Sequence, residues 1–185
     1  KMTDLDKLDA FREQCKPTTD IEKIKRCSQF IYNVITAERE TLNPNEIQNK
    51  IKEVLAYKAV VECINSPVTG RSIIVDCILN NIDASLFWPL ISMPEINLNK
   101  RHSDGLTPLM HALRKGNIDI SFALLELTDR ANRVDVNASA RRLSVGIRKT
   151  ALDYCNEWPN AQPKKNLLKL LKDAGAKTAE SLAHD

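Results

Sequence analysis

The stretch that most constrains this chain is DGLTPLMHALRKGNIDISFALL, residues 104–125. Its residues spell a helix, a tight turn and a second helix. Thr107 supplies a side-chain acceptor at a helix start, and Pro108 takes the first helical position, where no N–H is needed. Leu109, Ala112 and Leu113 make an apolar stripe at helical spacing. Gly116 ends the helix, because glycine tolerates the left-handed conformation such a stop requires. Ile118, Phe122 and Leu125 open a second stripe. A two-helix unit this short cannot bury its apolar face alone, so it must stack on neighbours. More such units are therefore expected in the chain.

The same punctuation recurs on both sides. Gly70-Arg71-Ser72 aligns with Gly105-Leu106-Thr107, 35 residues later. Ile73, Ile74, Cys77 and Ile78 follow it, and Asn81 stands where a glycine would end the helix. Lys149-Thr150-Ala151-Leu152-Asp153 gives a third start. Residues 167–176 (LLKLLKDAGA) give its second helix, stopped by Gly175. Glu95-Ile96-Asn97 and Asp135-Val136-Asn137 close the first two units. Together these motifs resemble the ankyrin repeat family, with its Thr-Pro-Leu-His-like start, its glycine at the turn and its period of about 33 residues.

The resemblance implies an all-α fold, a short ankyrin-like helical solenoid with an N-terminal helical cap. Its repeats would cover about 70–103, 104–146 and 147–177, with 178–185 as a tail. Residues 1–66 read as an N-terminal helical region. One helix is expected over Asp4–Cys15 and one from Thr19 to Arg39. A third runs from near Asn45 through Ile64, so that 45–66 reads as a degenerate repeat. The departures from the family are specific. Thr107 to Thr150 is 43 residues, and the excess falls after Leu127 and in Ala138 to Lys149, where a hairpin-like finger joins repeats in the family. Pro159 and Pro163 forbid a continuous helix through NEWPNAQPKKN. The signature His is replaced by Val75, Met110 and Asp153, so the hydrogen bonding that tightens these turns in the family is not expected here.

Charge locates the expected site. The net charge is only +3, yet residues 100–149 carry ten Lys and Arg against five Asp and Glu. By the resemblance, Lys100, Arg101 and His102 lie on one finger loop. Met110, His111, Arg114 and Lys115 lie along the first helix of the central repeat, on the concave side. Arg141, Arg142, Arg148 and Lys149 lie on the longer second finger. The expectation is a non-catalytic protein–protein interaction module whose partner is another protein with an acidic or phosphorylated segment. A solvated polar face is the plain alternative. Nucleic acid is disfavoured, since the strip has no interleaved aromatics for base stacking. A targeting or adaptor module of a larger enzyme, or of a bacterial effector acting in host cells, is the second reading.

Chemistry finds little footing. No GxxxxGK[ST], GxGxxG, GxSxG or HExxH occurs, and no two Cys or His stand at metal-ligand spacing, so no cofactor or metal is expected. A thiol hydrolase would need a Cys beside a His, and only His102, His111 and His184 are available. Cys77 and Cys155 fall at small-residue packing positions. The five cysteines are scattered and odd in number, which points to a reducing, cytoplasmic compartment. No apolar run reaches the roughly 18 residues of a membrane span, and a charged start (KMTDLDKLDAF) does not read as a signal peptide. Trp88 and Trp158 each precede a proline; Trp88 reads as half-buried core and Trp158 as a lid over the stack's end or an interface anchor.

Overall fold

A computed structural model describes residues 29–33, 35–36, 42–56, 58–66, 70, 72–126, 133–141, 148–159 and 162–184, with backbone only at Ala59 and Arg141. These residues are mostly helical. The helices expected over Asp4–Cys15 and Thr19–Arg39 lie largely outside them, although 29–33 and 35–36 are helical, with Ile31 and Ile35 buried. The chain forms two compact units, Lys1–Asn97 and Leu98–Asp185.

In the first unit, α1 (Pro44–Leu55) begins with a capping box. The Asn43 side chain accepts from the Glu46 N–H, and the Glu46 carboxylate accepts from the Asn43 N–H. Ile47, Ile51, Val54 and Leu55 form its buried face. The helix expected to run unbroken to Ile64 stops instead at Ala56, whose N–H turns back to Lys52 O and Val54 O. A separate helix, α2 (Lys58–Asn65), follows. No Gly or Pro marks the break, so nothing in the local sequence signals it. Next come α3 (Ile73–Leu79) and α4 (Ala84–Ser92). α4 packs against both α1 and α3.

α4 contains Pro89, which cannot donate to the carbonyl four residues back. That carbonyl, Ser85 O, accepts instead from Gln48 Nε2 of α1 at 2.7 Å. Phe87 absorbs the bend with φ −110° and ψ 16°, and its ring is fully buried.

The second unit holds two helix pairs. α5 (Pro108–Lys115) packs on α6 (Ile118–Glu126), and α7 (Ala151–Asn156) packs on α8 (Gln162–Asp173). α5 also lies on α7, and α6 on α8, so the pairs stack like on like. Between them runs a hairpin of β1 (Ala140–Arg141) and β2 (Arg148–Lys149), antiparallel, in the segment where a finger was expected. α9 (Ala179–Ala183) ends the unit. α8 begins five residues before the expected Leu167. Pro163 sits at its second position, where a missing N–H costs nothing.

Helix stops repeat one geometry. After α3, Asn81 has φ 53°, its N–H reaches Ile78 O, and the Ile82 N–H reaches Cys77 O. Gly116 (φ 72°) after α5 and Gly175 (φ 78°) after α8 make the same pair of bonds, as the Asn117 N–H reaches Ala112 O and the Ala176 N–H reaches Leu171 O. Nothing lies within 4 Å of a Cβ built on Gly116. Gly116→Ala should therefore cost only the left-handed backbone penalty, about 1 kcal/mol, read as a lower urea midpoint at unchanged slope.

A second device also repeats, within each unit in turn. Asn65 Nδ2 donates to Glu95 O at 2.6 Å, and its Oδ1 accepts from the Asn97 N–H at 2.8 Å. Asn99 makes the same two bonds to Arg133 O (2.8 Å) and the Asp135 N–H (2.7 Å). Asn137 makes them to Gly175 O (3.0 Å) and the Lys177 N–H (2.7 Å). In each case one amide clamps two backbone groups two residues apart on a distant segment.

Candidate functional site

The expected site residues fall into three environments. Met110 is 1% exposed and Lys100 7% exposed. Both are buried, which corrects the expectation that they present a surface to a partner. His111 is 0% exposed, and it too belongs to the interior rather than to a contact surface. The family-like alignment put Met110 at an outward signature position, but helical phase carries it into the core with Leu109 and Leu113.

Around His111 the structure gathers a cluster that the spacing alone did not announce. The turn after Arg101 is held by His102 N–H to Leu106 O (2.9 Å) and Gly105 N–H to His102 O (2.8 Å). Asp104 projects from that turn. Its Oδ1 lies 3.0 Å from His111 Nε2, and its Oδ2 lies 3.4 Å from Arg114 Nη2. The same Arg114 Nη2 lies 3.1 Å from His111 Nδ1. A guanidinium has no acceptor, so Nδ1 must accept and Nε2 must carry the proton that Asp104 receives. The ring is therefore the neutral Nε2–H tautomer. His102 meets it edge-on, with centroids 5.7 Å apart.

The electrostatics agree with that assignment. Burial holds the His111 ring below its ordinary range, although the Asp104 carboxylate pulls the other way. For Asp104, burial alone would raise the carboxyl. The Leu106 N–H, His111 and Arg114 outweigh it and hold the group below the usual carboxylate range. Arg114 is thus partly spoken for by Asp104, and the basic strip is weaker there than its residue count suggests. The i,i+3 spacing of His111 and Arg114 was the one sequence signal of this contact.

The remaining basic residues sit on loops and helix ends. Arg101 is exposed and donates to Gly105 O at 2.7 Å. Lys115 is exposed in the last turn of α5. On the hairpin, Ala140 pairs with Lys149 and Arg141 with Arg148, and Arg148 is exposed. Lys149 pairs with Glu157 and lies 5.4 Å from the centre of the Tyr154 ring, which ties the finger to α7. Arg142 lies outside the described residues.

Thr150 and Asp153 lock the base of the same finger. Thr150 Oγ1 donates to Lys177 O (2.8 Å), and the Asp153 carboxylate accepts from the Thr150 and Ala179 N–H groups at 2.8 and 2.9 Å. Asp153 thus performs a turn-tightening role at a position where the expected His is missing. Trp158 donates its indole N–H to Leu113 O at the end of α5, at 2.6 Å, so it bridges the two helix pairs of this unit.

Cys63, Cys77 and Cys155 are buried and outside any disulfide; Cys15 and Cys27 lie outside the described residues. Burial pushes the Cys77 thiol far up, with Asp76 adding to the shift, and burial also raises Cys155. Such thiols are poor nucleophiles. Among the described residues no three His, Cys, Asp or Glu are grouped to hold a metal ion, and no helix is long and apolar enough to cross a membrane. No protein-family model, curated protein or solved structure matches the chain.

Proposed function

We propose that this chain is a non-catalytic binding module built from irregular ankyrin-like repeats, and that its fingers hold an acidic or phosphorylated protein segment. The like-on-like stacking of two helix pairs in the second unit supports the repeat reading. So do the recurring left-handed stops and the three amide clamps. Loops fixed on a rigid helical frame are where binding residues concentrate.

One observation carries the choice of partner. The hairpin register sets the Arg141 and Arg148 positions directly opposite each other. Like charges at directly opposed positions of an antiparallel pair destabilise it. The chain nevertheless keeps two arginines there, followed by a third at Arg142. An anionic group between them converts that repulsion into attraction.

The test sets stability against binding. Arg148→Glu should relieve the opposed charges and raise stability slightly, by about 0.2–1 kcal/mol in urea titration. The same change should weaken capture of acidic or phosphorylated peptides on an array by at least about tenfold, roughly 1.4 kcal/mol. Arg101→Glu with Lys115→Glu should weaken it further, and raised salt should mimic both changes. Binding indifferent to all three substitutions would sink the proposal.

A further inference from the structure

We propose that Asp104, His111 and Arg114 form a proton-sensitive latch, closed at neutral pH, that releases the Arg114 guanidinium from the 102–106 turn when His111 gains a proton. The geometry makes the latch one-way. Arg114 Nη2 touches both His111 Nδ1 and Asp104 Oδ2, so all three groups close a ring of contacts. That ring needs an unprotonated Nδ1 whose lone pair faces the guanidinium. Adding a proton there sets an N–H against a cation that can only donate, inside a site with no solvent access to the imidazole. Either the proton stays off or Arg114 must leave.

The charged and titratable groups acting on the ring are Asp104 and His102 from the turn and Arg114 from its own helix. α6 and α7 pack against α5 and carry Asp119, Glu126 and Asp153; Asp153 is committed to Thr150 and Ala179. Burial depresses His111 below its ordinary value of 6.5, so the folded latch binds fewer protons than the opened one. The closed form is therefore favoured above that value and loses ground as pH falls through and below it. Release would add one positive charge at His111 and leave the Arg114 cation without its carboxylate, next to a turn already flanked by Arg101. The latch does not depend on the binding role proposed above, because its readout is the turn itself.

Nitrogen-15 spectra of the full chain test it. At pH 7.5 the His111 ring should show an unprotonated Nδ1 and a protonated Nε2. On acidification the Gly105 and Leu106 amides, both bonded within the turn, should shift with the same midpoint as His111. The Asn117 and Ala176 amides, held by helix stops, should stay put over that range. Arg114→Gln should raise the midpoint by about one pH unit by removing a cation, and Asp104→Asn should lower it by a similar amount. A ring already charged at pH 7.5, or turn amides that ignore its titration, would overturn the latch. So would movement of all four amides together, which would mean general unfolding. A lower midpoint in Arg114→Gln or a higher one in Asp104→Asn would overturn it as well.

Discussion

Asn99→Ala should destabilise the chain by about 2 kcal/mol, a large loss for a half-buried polar side chain. The substitution deletes a donor to Arg133 O and an acceptor for the Asp135 N–H in one step. Each net hydrogen bond is worth about 1 kcal/mol, and the bond to the Arg133 carbonyl is part-buried. Asn99→Asp offers a sharper control. It keeps an acceptor for the Asp135 N–H but turns an oxygen toward Arg133 O, so it should recover at most half of the loss. Urea titration followed by circular dichroism measures both. A loss below about 0.5 kcal/mol for the alanine variant would show that the clamp is geometric decoration rather than cohesion.

The second large effect is expected at Phe87. Phe87→Ala should cost about 3–5 kcal/mol, the range for deleting a fully buried aromatic ring. The ring sits at the bend of α4, the helix that packs on both α1 and α3, and it is 0% exposed. A cavity here is hard to close by relaxation, because Pro89 already prevents α4 from straightening. Phe87→Leu keeps most of the volume and should cost less than about 1.5 kcal/mol. Amide exchange gives the location. Protection should fall first in α1, α3 and α4, the helices that share this core. Uniform loss of protection across the chain would contradict that assignment.

What was legible in the sequence was chiefly backbone chemistry. Thr107-Pro108, Gly116, Gly175 and the Thr150 start appear where their residue types place them, since caps and left-handed stops are decided within a few residues. Asn81 is the best case, a non-glycine residue standing where a glycine was wanted and adopting φ 53°. The pairing of 140–141 with 148–149 falls in the segment where the family resemblance and the excess length together placed a finger. The break at Ala56 was not, because a helix that ends in a right-handed turn on alanine leaves no mark in composition.

The site was less legible, for a different reason. Exposure is a property of the packed unit, so Met110, His111 and Lys100 could be placed on the right helix or loop and still be assigned to the wrong side of it. The Asp104–His111–Arg114 contact joins a turn to a helix and has no period. The clamps also had a visible trace: Asn97-Leu98-Asn99 and Asp135-Val136-Asn137 share a spacing of receiving residue, apolar residue and clamping Asn. Lys177-Thr178-Ala179 keeps the receiving position but carries Thr and Ala where the apolar residue and the clamping Asn would stand.

Those clamps also fix connectivity without fixing chain length. The separation across them grows from 32 to 36 to 40 residues, while the two bonds at each remain the same. By loop-closure entropy, stretching such a span from 32 to 40 residues costs only about 0.2 kcal/mol. Loops that lie between clamps can therefore be lengthened or shortened at almost no entropic penalty. For an engineer the same tolerance marks the segment between Arg141 and Arg148 as the natural place to graft a foreign peptide, since the paired strands on either side bring its ends together.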